Sequence, residues 1–168
     1  MLRFVAGLAL ASMAAPSLAA LPVGSKAPDF TTEGALAGKP FKLKSYKGKW
    51  VLVTVGAEWC KPCAKELPAW DKIAPEYKDK ITFIAINIDD NSDDGKKFFK
   101  KLKIANLLQV FLPADKSAVV AKYGSDNMPT TFVADPQGVV RYVRAGFEKG
   151  DVSGEQKKMR AQLTKLLK

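Results

Sequence analysis

Two continuously apolar, β-branched segments dominate the hydrophobic pattern of the chain. Residues 50–55 read WVLVTV and residues 81–88 read ITFIAINI, and such runs are typical of strands that are buried on both faces of a parallel sheet. Between them, Leu67, Trp70 and Ile73 recur at helical spacing. The order strand, helix, strand predicts a parallel βαβ unit with a right-handed crossover.

Two prolines fall within or just after the predicted helix. A proline has no amide hydrogen for the helical ladder, and its ring clashes with the preceding turn. We therefore expect Pro68 to kink the helix and Pro75 to end or bend it.

The pattern after the second strand predicts a helix, short strands and a hairpin. A Lys- and Phe-rich stretch near 93–102 fits a helix, and short apolar segments follow at 107–112 and 118–123. Predicted strands at 130–134 and 139–143 flank the sequence Asp-Pro-Gln-Gly. Its proline and glycine positions suit a type I turn, so these two strands should form an antiparallel hairpin.

The two ends of the remaining chain complete the predicted domain. Residues 20–48 read as an irregular lead-in with one or two short strands. At the other end, Ser153 and Gln156 match a capping box that would open a last helix, with Met159 and Leu163 on its apolar face. We find no internal repeat and no second domain, and predict an α/β domain whose central mixed sheet is flanked by helices.

The composition narrows the chemistry available to this domain. The chain has 168 residues, 47% of them hydrophobic and 26% charged, which fits one soluble globular domain. It contains no histidine, which excludes Ser-His-Asp and Cys-His catalysis and His-coordinated zinc. It contains two cysteines, too few for a four-thiolate metal site within one chain.

The N-terminal segment resembles a signal peptide over residues 1–19. Arg3 supplies a positive start, and an apolar run of twelve residues follows at 4–15. This run is shorter than the roughly 20 apolar residues of a spanning helix. We expect cleavage after Ala19, leaving a mature domain at 20–168 in the periplasm, with an uncleaved membrane anchor as the alternative.

The candidate redox site is the sequence Trp59-Cys60-Lys61-Pro62-Cys63, which follows a buried strand and opens a helix. Helix N-termini and neighbouring positive charge, here that of Lys61, favour the thiolate form of a cysteine, and Pro62 is tolerated in a first helical turn. We expect Cys60 to be exposed and to attack, and Cys63 to be shielded and to resolve the mixed disulfide. The alternatives are a purely structural disulfide, which would stabilise little over so short a loop, and a metal shared between two chains.

These motifs resemble the thioredoxin superfamily. The resemblance rests on Trp-Cys-x-Pro-Cys after a buried strand, on Pro68, and on a Pro-Thr-Thr strand followed by Asp-x-x-Gly. The signal-like segment, Ala-Pro-Asp-Phe at 27–30, Glu66 in Cys-x-x-Glu-Leu-Pro and the inserted helix near 93–102 resemble the exported TlpA/ResA-like branch. The resemblance spans roughly residues 24–168.

The resemblance implies a thioredoxin-like fold with an N-terminal extension, and an enzyme that exchanges thiols and disulfides. It implies no cofactor and no metal besides a redox-active Cys60–Cys63 disulfide. It places Met128 and Pro129 in a cis-proline loop against that disulfide, with the Met128 backbone pairing to substrate. Its partners would be a protein disulfide and a membrane-bound thiol donor, and many members of the branch serve cytochrome c maturation.

Two positions depart from the superfamily pattern. Thioredoxin itself has a buried aspartate six residues before its first cysteine, and this chain has Thr54 there. Met128 stands where many relatives carry a β-branched residue. Because Glu66 follows Cys63 by three residues, about 60° around the helix, we expect it to act as the missing proton acceptor. A solvated glutamate without a role is the alternative.

Taken together, the sequence predicts an exported thiol-disulfide oxidoreductase that reduces protein disulfides. Pro62 stands where disulfide-forming oxidases of the superfamily often carry histidine, which favours a reductant. The alternatives are a redox-inert thioredoxin-fold scaffold and a thiol peroxidase.

The lysines near 96–103 are interpreted as a solvated helix face. An acidic partner or an anionic lipid surface is the alternative for this lysine cluster, and nucleic acid is not expected for an exported chain.

Overall fold

The computed structural model describes residues 21–29, 31–35, 39–113, 123 and 128–168. The predicted signal peptide at 1–19 and most of the apolar segment at 118–123 lie outside these residues. Among the helices of the described residues, none combines the length and the apolar character that a membrane crossing requires.

The described residues form seven strands and three α-helices. Their bounds, in chain order, are β1 Thr31–Ala35, β2 Lys39–Lys42, β3 Trp50–Gly56, α1 Cys63–Ile73, β4 Ile81–Asn87, α2 Ser92–Lys101, β5 Leu108–Phe111, β6 Thr130–Ala134, β7 Val140–Ala145 and α3 Val152–Leu166.

Five of the strands form the central sheet, in the order β5-β4-β3-β6-β7. β3 pairs in parallel with β4, and β4 with β5, while β6 is antiparallel to both β3 and β7. This arrangement confirms the predicted mixed sheet, the βαβ unit and the hairpin around Asp-Pro-Gln-Gly. β1 and β2 form a separate antiparallel pair.

Both faces of the sheet are covered, which explains why β3 and β4 are predominantly apolar. One face packs against the helices through a cluster that includes Leu52, Trp70, Phe99, Met159 and Leu163. The other face is covered by the N-terminal extension, which contributes residues such as Leu21, Phe41 and Leu43.

The position of Pro75 and the inserted helix agree with the sequence pattern, while the kink expected at Pro68 stays a prediction. α1 continues through Pro68, ends at Ile73 and passes into a single 3₁₀ turn that contains Pro75. α2 lies between β4 and β5, buries Phe98 and Phe99, and exposes its lysines.

The capping box predicted for the last helix is wrong. The N-cap is Asp151, whose carboxylate accepts a hydrogen bond from the Gly154 amide at 2.8 Å. Asp151 is an equally good cap two residues earlier, and its negative charge also suits a helix N-terminus. Gln156 instead donates to the Ala69 carbonyl at 3.0 Å and thereby ties α3 to α1.

Candidate active site

The two cysteines lie at the end of β3, where the chain turns into α1. The Cys60 amide donates to the Ala57 carbonyl at 3.1 Å and closes a tight turn. Pro62 has helical backbone angles and precedes Cys63, the first residue of α1. The two sulfurs are joined in a disulfide, and the Cα atoms are 5.2 Å apart.

Both cysteines are buried, which corrects the expectation that Cys60 is exposed. Cys60 keeps 5% of its surface accessible and Cys63 keeps none. The reason is that the Cys60 sulfur is turned towards the helix, where it is bonded to Cys63 and accepts a hydrogen bond from the Cys63 amide at 3.2 Å. The predicted asymmetry between the two sulfurs is present, but it is small.

The residues around Cys60 form the exposed surface of the site. Trp59 is 67% accessible, which is unusual for a large apolar side chain. Lys61 is exposed and Pro62 is half-buried. A partner that approaches Cys60 therefore meets Trp59 and Lys61 first.

Gly56 provides the close approach between β3 and α1. A Cβ atom on this residue would lie 3.1 Å from both the Cβ and the Sγ of Cys63. Any side chain at this position would push against Cys63 and would require a shift of a few tenths of an ångström, so glycine fits this close approach best.

The Met128–Pro129 peptide bond is cis. Thr130 pairs with Val55 across β6 and β3, so Pro129 reaches the end of β3 from which the disulfide loop departs. The Pro129 carbonyl accepts a hydrogen bond from the Gly146 amide at 2.7 Å, and Met128 is half-buried. The structure thus brings the predicted cis-proline loop to the same end of the sheet as the disulfide.

Glu66 is completely buried, one turn along α1 from Cys63. The Thr54 hydroxyl donates to one carboxylate oxygen at 2.6 Å, and the Thr131 hydroxyl donates to the other at 2.9 Å. Thr54 and Thr131 face each other as a cross-strand pair of β3 and β6. The interpretation of Glu66 as a solvated surface glutamate is therefore wrong.

Burial determines the acidity of this carboxyl group. It raises the pKa of Glu66 to about 7, while the hydrogen bonds from Thr54 and Thr131 and the charge of Arg144 act in the opposite direction. A group with a pKa near 7 can both accept and release a proton at neutral pH. Glu66 is suited to that task next to a pair of thiols.

Sequence analysis missed the two threonines as partners of Glu66. Thr54 was noted only as a replacement for aspartate, and Thr131 only as part of a strand. Both are buried polar residues inside strands that are mostly apolar and buried. Since buried hydroxyl groups need partners, this pattern was the available sequence signal.

Asp89 is a second residue that sequence analysis missed. Its buried carboxylate accepts the Glu58 amide at 3.1 and 3.0 Å and the Asn87 side-chain amide at 2.7 Å. Glu58 lies within the turn from Ala57 to Cys60, so Asp89 holds that turn against the end of β4.

Arg144 provides a positive charge that acts on Glu66 and lowers its pKa. It pairs with Thr131 in the β6–β7 register. Its guanidinium group lies 6.0 Å from the centre of the Trp70 ring and 5.4 Å from that of Phe147, and it forms an ion pair with the buried Glu155.

A Cys-x-x-Cys disulfide at the start of a helix, a cis-proline loop at the same end of the sheet, and a mixed sheet in this order together define a thioredoxin-like thiol-disulfide oxidoreductase. The chain belongs to the AhpC/TSA family, whose model matches residues 23–143.

Individual relatives agree with this assignment. The thiol-disulfide oxidoreductase ResA of Bacillus thuringiensis subsp. konkukian is 34% identical over 150 residues, which cover 88% of this chain and 78% of ResA. The thioredoxin domain of a thiol-disulfide oxidoreductase from Bacteroides vulgatus superposes with a TM-score of 0.73 at 28% identity, covering 89% of this chain and 100% of that domain. An exposed lipoprotein thioredoxin from Streptococcus pneumoniae superposes with a TM-score of 0.62 at 29% identity. The match covers 78% of this chain and 99% of the lipoprotein chain. Membership of a redox enzyme family favours the oxidoreductase over the redox-inert scaffold.

Proposed function

We propose that the protein is an exported reductant of protein disulfides and that it serves cytochrome c maturation. The observation that carries the reaction is the Cys60–Cys63 disulfide at the start of α1, with the buried Glu66 one turn further along the same helix. The ResA relative supports the thiol-disulfide chemistry. The apolar segment at 4–15 and the lipoprotein relative support export.

In the proposed reaction, the reduced enzyme donates two electrons to a substrate disulfide. The Cys60 thiolate attacks one substrate sulfur, a mixed disulfide forms, and the other substrate sulfur leaves as a thiolate that takes a proton from solvent. The Glu66 carboxylate then accepts the proton of the Cys63 thiol. The resulting Cys63 thiolate attacks the Cys60 sulfur, which releases the second substrate thiolate and restores the Cys60–Cys63 disulfide. A thiol donor, proposed to be membrane-bound, reduces that disulfide again.

The surroundings of the disulfide supply substrate contacts in this proposal. The exposed Trp59 and Lys61 meet the substrate surface, and Pro62 keeps the loop in its helical turn. The Met128 backbone, ahead of the cis-Pro129, pairs with an extended segment of the substrate. The site uses no cofactor or metal in this proposal.

The test uses the two cysteine variants with insulin as the disulfide substrate. Cys60→Ser should abolish reduction, because no attacking thiolate remains, whereas Cys63→Ser should accumulate a covalent mixed disulfide that electrophoresis under non-reducing conditions detects. Insulin reduction by Cys60→Ser would overturn the assignment of the attacking sulfur. Peroxide turnover without any other thiol protein would favour the thiol peroxidase instead.

The direction of electron flow is tested by the reduction potential of the wild-type disulfide. As a reductant, the protein should have a reduction potential that does not lie well above about −180 mV, the range of strong disulfide-forming oxidants. A potential in that oxidising range would contradict the proposal.

A further inference from the structure

Two neighbouring depressions lie where β3 and β4 begin. One is a cavity of about 270 Å³ and the other a groove of about 250 Å³, and they share Lys49. Together they are lined by six exposed lysines, here called the basic end: Lys26, Lys44, Lys47, Lys49, Lys78 and Lys80.

The charge of the basic end is largely uncompensated. The two linings contain three acidic residues. Asp29 forms an ion pair with Lys44 at 3.9 Å, and Asp135 forms one with Arg141 at 2.7 Å. The remaining one is Asp79. Within the part of the chain that the structure describes, no carboxylate forms an ion pair with the remaining lysines of the basic end, which are Lys26, Lys47, Lys49, Lys78 and Lys80.

The lysines of α2 differ in this respect. Lys96 pairs with Asp93 at 2.8 Å, and Lys97 pairs with Asp94 at 3.1 Å. Two acidic residues in the first turn of α2 thus compensate part of the charge of the lysine cluster at 96–103. The basic end is therefore the stronger candidate for binding an anionic partner.

The basic end and the disulfide lie at opposite ends of the sheet. Trp50 opens β3 beside the groove, and Gly56 closes it before the disulfide loop. Six residue steps of a strand span roughly 20 Å. When the basic end binds to a surface, Cys60 therefore lies at the end of the domain that is remote from that surface.

An exposed valine lies at the same end of the domain. The Gly24 amide donates to the Val140 carbonyl at 2.8 Å, and Val140 pairs through Ala134 with Val51 near the start of β3. Val23, next to Gly24, is 63% accessible. Trp59 and Val23, the two large apolar side chains with high exposure among the described residues, thus mark the disulfide and the basic end respectively.

The sequence also connects this end to the apolar run. Residue 15 precedes the buried Leu21 by six positions, so even a fully extended connection spans no more than roughly 20 Å. If the apolar run at 4–15 is not cleaved and inserts into a membrane, this short connection keeps the basic end close to that membrane.

We propose that the basic end docks on an anionic lipid surface. Dispersed, flexible lysines around one exposed aliphatic side chain match a layer of anionic headgroups, because such a layer demands charge but no fixed geometry. The single exposed aliphatic side chain of Val23 among the lysines favours a lipid layer over an acidic protein, and the apolar run at 4–15 adds to this preference where it is retained. Docking would hold the domain with its disulfide towards the aqueous phase, where protein substrates arrive.

The test combines lysine labelling with vesicle binding on the full chain. A water-soluble acylating reagent is applied with vesicles of phosphatidylcholine alone and of phosphatidylcholine mixed with phosphatidylglycerol, and labelled peptides are quantified by mass spectrometry. On the anionic vesicles, Lys47, Lys49 and Lys80 should lose reactivity, whereas Lys100 and Lys101 should keep it.

Two charge-matched triple variants separate location from net charge. Each lysine near an anionic surface is worth about fivefold in affinity at low salt. K47Q/K49Q/K80Q should therefore weaken binding to the anionic vesicles on the order of a hundredfold, and K100Q/K101Q/K103Q should weaken it far less. Equal losses in the two variants, or equal labelling on both kinds of vesicle, would overturn the proposal. So would protection of the basic end by polyglutamate but not by vesicles, which would assign it to an acidic protein.

Discussion

Replacing Glu66 with glutamine should change how the stability of the oxidised protein depends on pH. The pKa of Glu66 rises from its ordinary value of 4.5 to about 7 on folding, chiefly through burial. Below pH 4.5 the group is protonated in both the folded and the unfolded states, so the free energy of unfolding is unaffected. Between pH 4.5 and 7 the unfolded chain loses this proton first, which favours unfolding. Above pH 7 both states are ionised, and the loss is complete.

The size of this effect follows from the two pKa values. A rise from 4.5 to about 7 corresponds to about 3 kcal/mol of unfolding free energy lost from wild type across this interval. Glu66→Gln cannot ionise and escapes this loss. The difference in unfolding free energy, variant minus wild type, should therefore increase by about 3 kcal/mol between pH 4.5 and 8.

Urea unfolding of the oxidised proteins, followed by circular dichroism at several pH values, measures this difference. Carboxylates common to both proteins cancel in it. Glu58→Gln removes one exposed carboxylate from the turn that precedes Cys60. This variant controls for the loss of a negative charge. Thr54→Val removes a hydrogen-bond donor that lowers the pKa of Glu66. In this variant the pH-dependent loss of unfolding free energy should therefore extend to higher pH. A difference between Glu66→Gln and wild type that stays flat from pH 4.5 to 8 would refute the reasoning.

Two further substitutions test the supports of the disulfide loop. Gly56→Ala places a Cβ 3.1 Å from the Cβ and Sγ of Cys63. Thermal unfolding should therefore show that the free energy of unfolding falls by about 1–3 kcal/mol. An unchanged melting temperature would contradict this contact. Asp89→Ala removes the acceptor of the Glu58 amide and should cost about 1–3 kcal/mol and slow insulin reduction. Asp89→Asn, which keeps an acceptor, should be milder in both assays, and equal effects of the two variants would count against a hydrogen-bonding role.

The parts of the fold that sequence predicts well are those fixed by local pattern. β3 and β4 are apolar because each is buried on both faces, and the disulfide loop follows β3 directly. The antiparallel hairpin is set by four turn residues. The start of α3 was missed because Asp151 and Ser153 are both good caps, and the choice depends on Gln156 reaching the Ala69 carbonyl of another helix.

Spacing along the chain predicted the site only where its residues are close in sequence, whereas the cis-proline loop at Met128 and Pro129 followed from the family resemblance. Cys60, Cys63 and Glu66 share one loop and one helix, so spacing alone placed them together. The burial of Glu66 depends on Thr131, which is 65 residues away, and the position of the loop depends on Asp89, 31 residues from Glu58. Such contacts are set by strand order and register, which a local pattern does not contain. The burial of Cys60 likewise depends on where its sulfur is directed.

The contact of Glu66 with Thr54 and Thr131 also has a consequence for folding. Each threonine occupies one position of the β3–β6 register, and side chains alternate between the two faces of a sheet. A pairing shifted by one residue in one direction would place Thr130 opposite Thr54, whereas the opposite shift would place Phe132 there, and one carboxylate oxygen would be buried without its donor. That error costs about 1–3 kcal/mol or more for a charged group. The buried carboxyl group of Glu66 thereby disfavours the misaligned pairing that places Phe132 opposite Thr54.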